Sequence, residues 1–171
     1  AGGVPAANIA RFDGTSWHAM GDGLTGQGGA TLGGVRALLI LPNGDLIAGG
    51  DFSASGATML NRIARWDGAA WQPLSSGANN QVSALTTLDP DGAGPLPPVL
   101  VAGGLFTSMG GVACTRIAKF DGLTWAPMGT GVNGRITEFD RWDSGGGEQM
   151  VAAGDFTLAN GVAANRIARY D

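Results

Sequence analysis

An all-β fold of repeated four-stranded antiparallel sheets is the architecture this sequence predicts, on three observations. The first is a repeat: Ile9, Ile63 and Ile117 stand 54 residues apart, and so do Trp17, Trp71 and Trp125. The second is that each period holds four short runs of strand character and no run with a sustained helical spacing of apolar residues. The third is composition. With 44% apolar and 14% charged residues the chain is globular, and its 31 glycines follow the repeat and not a Gly-X-Y triplet, which excludes collagen.

The runs can be taken in order through one period. "RIARW" (residues 62–66) alternates, with Ile63 and Arg65 on one face and Ala64 and Trp66 on the other. Asp67–Gly68 follows, a pair that supplies the positive φ angles of a tight hairpin, and Asp13 and Asp121 hold the same place in the neighbouring periods. "AWQPL" (70–74) is the second run and "QVSALTTL" (81–88) the third. The third ends in turn-rich "DPDGAGPLPP" in one period and in "PNGD" in another. "VLVAGGLF" (99–106) is continuously apolar, as expected of a strand covered on both faces. Ile167 follows Ile117 by only 50 residues, a shortening that falls between Trp125 and "GDF" at 154–156.

Four strands in some 54 residues is the pattern of a β-propeller blade. One small sheet cannot bury both of its faces, so blades stack around an axis and cover one another. Small residues let the inner strands converge there, which places Gly49–Gly50, Gly103–Gly104 and Ala153–Gly154 near the axis. Trp17, Trp71 and Trp125 are expected to fill the wide outer spaces between blades, the alternative being a sugar-stacking platform.

A Gly-Gly doublet closing an apolar strand, then an aromatic-Asp pair, then a Trp resembles the kelch repeat. The elements here are Gly49–Gly50, Trp66–Asp67 and Trp71, then Gly103–Gly104, Phe120–Asp121 and Trp125. The aromatic-to-Trp gap is a little shorter than in most kelch turns, and the third doublet has Ala153 for a glycine. The resemblance covers the whole chain and implies a strand order: "VRALLIL" innermost, then "DLIAGG", "RIARW" and "AWQPL" outermost. Residues 1–171 then divide into a half blade at 1–32, blades at 33–78 and 79–131, and an incomplete blade at 132–171. Three blades do not close a ring, since propellers have four to eight. This partial ring of about three blades is expected to pair with further blades of the same polypeptide or with a second copy.

The chemistry-bearing residues are few. A net charge of −4, with Lys119 the only lysine, excludes a nucleic-acid surface, and no apolar run is long enough to span a membrane. Cys114 is alone and reads as a small buried residue. Any Ser-His-Asp set would have to use His18, which reads as a surface histidine. Asp51 and Asp155 follow the glycine doublets in equivalent places and could make a carboxylate pair; the plainer reading has them capping turns or pairing with Arg62 and Arg166. Asp89 and Asp91 in "DPDGAG" have calcium-loop spacing without the later acidic ligand. "DRWDSGGGE" (140–148) is an atypical loop that suits a contact surface or simple length variation.

The sequence therefore predicts no catalytic residues, no cofactor and no metal. The function expected is that of a non-enzymatic propeller module for protein interaction or extracellular structural assembly, with a protein or glycan ligand. The alternative is the scaffold portion of a larger propeller enzyme, of hydrolase or oxidase type, with its active site elsewhere. The single lysine, the acidic balance and the absent initiator Met point to an extracellular or periplasmic location.

Overall fold

The computed structural model describes residues 2–26, 33–92, 94–143, 145 and 148–170. Every regular element among them is a strand, and none of them forms a helix long and apolar enough to cross a membrane. A short hairpin, β1 (Ala10–Phe12) and β2 (Trp17–Ala19), opens the chain. The first full repeat contributes β3 (Val35–Ile40), β4 (Leu46–Gly50), β5 (Ala54–Ser55), β6 (Thr58–Met59), β7 (Ile63–Trp66) and β8 (Trp71–Pro73). The second contributes β9 (Val82–Leu88), β10 (Val99–Gly104), β11 (Ser108–Met109), β12 (Val112–Ala113), β13 (Ile117–Phe120) and β14 (Trp125–Pro127). The third has β15 (Ile136–Asp143), β16 (Glu148–Gly154), β17 (Leu158–Ala159), β18 (Val162–Ala163) and β19 (Ile167–Tyr170).

These strands form propeller blades. Two four-stranded antiparallel sheets have the orders β3-β4-β7-β8 and β9-β10-β13-β14, and a three-stranded sheet has the order β15-β16-β19. Chain order from inside to outside is the one the repeat pattern implies. Sheet register repeats as well: Gly49 lies opposite Ile63, Gly103 opposite Ile117, and Ala153 opposite Ile167. The third sheet's first hairpin runs on to Asp143↔Glu148 and carries the Arg141–Glu148 ion pair at 2.7 Å. Most of the "DRWDSGGGE" stretch is thus a lengthened hairpin, with residues 144, 146 and 147 outside the described set.

A feature the sequence reading lacked is the small hairpin between the second and third strands of each blade. The pairs β5–β6, β11–β12 and β17–β18 are two residues per strand. Each bridges back to the connector from the preceding outer strand, through Thr25↔Ala54, Ala78↔Met109 and Val132↔Ala159. Gly110–Gly111 and Asn160–Gly161 make the turns with φ positive at both residues (61° and 81°, 50° and 79°), which is the geometry of a type I′ hairpin.

The Asp-Gly pairs, by contrast, do not form the tight turn expected of them. Only the glycine takes a positive φ, at 101°, 102° and 98° for Gly14, Gly68 and Gly122. The aspartate instead caps a four-residue loop. Asp67 Oδ1 accepts from the amides of Ala69 and Ala70 at 2.9 and 2.8 Å, and Asp121 Oδ1 from those of Leu123 and Thr124 at 2.8 and 2.7 Å. Asp13 does the same for Thr15 and Ser16.

Three apolar clusters hold the blades together, each between one sheet and the next. One joins the opening hairpin to the first full sheet around Ile9, Phe52 and Trp71. The second packs Ile47 and Ile63 against Val82, Phe106 and Trp125, and the third packs Val101 and Ile117 against Ile136, Met150 and Phe156. Trp71 and Trp125 fill the outer spaces between sheets, 1% and 4% exposed. Trp17 does not, at 42% exposed, since among the described residues no sheet precedes its hairpin. Cys114 is buried in the second cluster, and loss of hydration raises its thiol pKa, as suits a packing residue.

Asn8, Arg62, Arg116 and Arg166 occupy one repeat position and all have left-handed φ, between 62° and 70°. The strain is offset by reach. Asn8 donates to the Leu24 carbonyl at 2.7 Å, Arg62 to that of Ala78 at 3.1 Å, and Arg116 to that of Val132 at 3.4 Å. Each ties a third strand to the connector that leaves its own blade.

Candidate functional site

The inner strands carry the most distinctive surface. Pairing in β3, β9 and β15 slips by one residue near the start of each strand, leaving Arg36, Ser83 and Thr137 as the extra residues of three equivalent bulges. A bulge re-aims the side chain it adds, and such bulges recur beside functional sites. Here all three bulged residues, with Gln81 and Arg135, line one open groove of about 380 Å³ at the axial end of the blades.

Polar contacts fix the groove. Arg36 Nε donates to Asp51 Oδ2 at 2.7 Å, and Gln81 Nε2 of the next blade donates to Asp51 Oδ1 at 2.7 Å. Gln81 Oε1 in turn accepts from Ser83 Oγ at 2.9 Å. In the third blade Arg135 pairs with Asp155 at 3.0 Å, and Thr137 Oγ donates to the Ala153 carbonyl at 3.1 Å. Asp51 and Asp155 are therefore held by Arg36 of β3 and by Arg135, the residue just before β15. They are not paired with Arg62, which bonds the Ala78 carbonyl of its connector, nor with Arg166. Leu105 replaces the acid in the middle blade and takes only the backbone bond to the Gln81 carbonyl.

Chemically the groove offers donors and acceptors in fixed places. Ser83 has no base beside it, since its hydroxyl is spent on an amide oxygen. A Ser, a His and an Asp do meet elsewhere: His18 Nε2 lies 2.6 Å from Asp13 Oδ2 and 3.1 Å from Ser16 Oγ. Both contacts fall on the same ring nitrogen, so the imidazole cannot take a proton from the hydroxyl while leaning on the carboxylate from its other side, as a triad requires. The site is exposed on the outer hairpin.

Asp89 and Asp91 shape their own turn. Asp89 Oδ1 accepts from the Asp91 amide at 3.2 Å and Asp91 Oδ2 from the Leu96 amide at 3.1 Å, both in the open. Among the described residues, His, Cys, Asp and Glu gather in no group of three or more that could hold a metal ion. Asp13, Asp67 and Asp121 have carboxyl pKa values below the ordinary range, each chiefly because backbone amides of its own loop donate to it. The sequence did not mark Arg36, Gln81, Ser83, Arg135 or Thr137. Their common signal is positional: each sits within three residues of the start of a "VRAL", "VSAL" or "ITEF" strand.

Comparison with known proteins agrees with the architecture. No curated protein and no solved structure gives a match to the chain. Residues 149–171 match the family model described as "Domain of unknown function (DUF5122) beta-propeller", a span that takes in most of β16, the β17–β18 hairpin and β19.

Proposed function

We propose that this chain is a non-enzymatic propeller module that engages a protein partner through the axial groove, in an extracellular or periplasmic setting and with kelch-like blades. The observation that carries the reading is the bulge at one repeat position in three successive inner strands, which brings Arg36, Ser83 and Thr137 into one groove. The polar groups there are anchored to neighbouring protein groups and present a fixed pattern of charge and hydrogen-bonding capacity, as recognition demands. Neither hydroxyl is set against a base, which counts against the alternative of an enzyme scaffold with this groove as its active site.

Two measurements test the reading. Peptides that the chain captures on an array should bind an Arg36→Ala/Arg135→Ala variant at least ten-fold more weakly. A panel of ester, glycoside and peptide substrates should show no turnover above buffer. Turnover abolished by Asp51→Asn or Asp155→Asn would sink the module reading in favour of an enzyme.

A further inference from the structure

The direction of each hydrogen bond in the axial groove is fixed, and it determines what a ligand has to offer. A carboxylate only accepts, so Gln81 presents Nε2 to Asp51 Oδ1, at 2.7 Å. Gln81 Oε1 is thereby turned to Ser83, whose hydroxyl donates its single proton there at 2.9 Å. Thr137 spends its own proton on the Ala153 carbonyl at 3.1 Å. Both hydroxyls are left as acceptors. The charged N–H groups that remain open belong to the two arginines. Arg36 commits Nε to Asp51 Oδ2, and Arg135 commits Nε and Nη2 to Asp155 Oδ2, so each guanidinium keeps further N–H donors.

The middle blade has no acid to receive them. Asp51, Leu105 and Asp155 hold one repeat position, marked by the same backbone bond: their amides donate to the carbonyls of Gly34, Gln81 and Arg135 at 3.0, 2.9 and 2.8 Å. The first and third blades thus put a carboxylate at this position, and the second puts a leucine. Arg36 comes from the first blade and Arg135 from the third, while Gln81 and Ser83 of the second line the same groove. None of the residues that line it is an Asp or a Glu. The second sheet packs against the first on one side and the third on the other, so the middle of the groove is bounded by this chain on both sides. The side chains of Arg36 and Arg135 are 50% and 39% exposed, within reach of a ligand.

We propose that the groove binds a peptide carboxylate, held between the guanidiniums of Arg36 and Arg135 where the middle blade lacks an acid, with an N–H of the same peptide donating to Ser83 Oγ. A planar guanidinium matches a carboxylate in shape, and hydrogen bonds between two ionised groups are the stronger kind. Each arginine is already balanced by one acid, so the groove suits a monoanion. A phosphate dianion would be set against Asp51 and Asp155 at close range. The inference rests on the reading of the groove as the surface that engages a protein partner, and adds the chemistry that the surface recognises.

The test is an NMR titration of the 171-residue chain, followed at the Nε–H resonances of Arg36 and Arg135. The probes are N-acetylglutamate N-methylamide and its glutamine counterpart. The glutamate probe should shift both resonances saturably, and the glutamine probe should bind roughly ten-fold more weakly. Arg36→Gln and Arg135→Gln should each weaken the glutamate probe. Equal effects of the two probes would overturn the proposal, a comparison that needs no variant. So would inorganic phosphate displacing the glutamate probe at a lower concentration than acetate does. A C-terminally amidated peptide with one internal Glu, and a peptide free of Asp and Glu with an open C-terminus, separate the two sources of carboxylate. Binding of either supports the proposal, and binding of neither overturns it. Array peptides that weaken in the Arg36→Ala/Arg135→Ala variant but tolerate exchange of their own Asp and Glu for Asn and Gln would remove this inference and leave the partner reading standing. Array peptides that ignore the variant, while the glutamate probe still binds at both arginines, would remove the partner reading and leave the carboxylate site.

Discussion

A Cβ placed on Gly49 would lie 2.7 Å from Cγ1 of Val82, in the neighbouring sheet. The equivalent atom on Gly103 would lie 2.6 Å from the Phe139 ring. The first glycine of each doublet is thus required by the next blade. The second is required by its own blade, since a Cβ on Gly50 or Gly104 would overlap the carbonyl oxygen of Gly34 or Gln81. Gly50→Val and Gly104→Val should each destabilise the fold by about 3 kcal/mol, through overpacking against backbone that cannot yield. Urea unfolding checks this, and a loss below about 1 kcal/mol would contradict the placement.

The buried tryptophans should not be equivalent. Trp71 donates to the Met20 carbonyl, while Trp125 Nε1 is buried without a hydrogen-bond partner. Replacing each by phenylalanine removes a similar amount of ring, so the difference between the two variants reports the hydrogen bond. Trp71→Phe should cost about 1 kcal/mol more than Trp125→Phe. Equal losses would remove any role for the Met20 carbonyl.

Arg62 separates strain from reach. At a φ of 70° a glycine is at ease and an alanine is not. Arg62→Ala loses the bond to the Ala78 carbonyl and keeps the strain, whereas Arg62→Gly loses the bond and relieves it. The alanine variant should therefore be less stable by about 1 kcal/mol. At Arg166, whose guanidinium has no hydrogen bond among the described residues, glycine should be neutral or stabilising. Thermal melts of the three variants decide it.

Acid should act on the outer hairpins. The Asp67 and Asp121 carboxyls are depressed in the folded state by donation from backbone amides. A depressed folded pKa contributes stability that is complete above the unfolded value, about 3.9, and lost as pH falls below it towards the folded value. Stability should consequently fall as pH drops below about 4, and an Asp67→Asn/Asp121→Asn variant should show a shallower fall. Parallel curves for parent and variant would mean that these loops are not held by the charged form.

The blades were legible because their signals are long and repeated. An apolar strand such as "VLVAGGLF" and a Trp recurring every 54 residues leave little choice of fold. The β5–β6 type of hairpin escaped because a two-residue strand carries no periodicity. Its one signal, the Gly-Gly and Asn-Gly pairs at 110–111 and 160–161, is the type I′ signature that the sequence reading assigned to Asp67–Gly68 instead. Asp67 looks the same in sequence whether it turns or caps, and only the four-residue loop length settles it. The axial groove was hidden for a different reason. Arg36, Ser83 and Thr137 differ in chemistry, so no motif joins them, and what they share is a bulge that a sequence does not announce.

Ala153 carries, in the third blade, the Cβ that Gly49 and Gly103 lack. A sheet seated in front of it as closely as the second sits on the first would drive that methyl into a residue of the Val82 type, 2.7 Å from where the methyl begins. The blades are consequently not interchangeable cassettes. A permuted chain with the third repeat moved ahead of the second would jam at that methyl, whereas swapping the first and second would meet no such obstacle there. One alanine would thus hold any sheet packed in front of it farther off than Gly49 and Gly103 hold theirs.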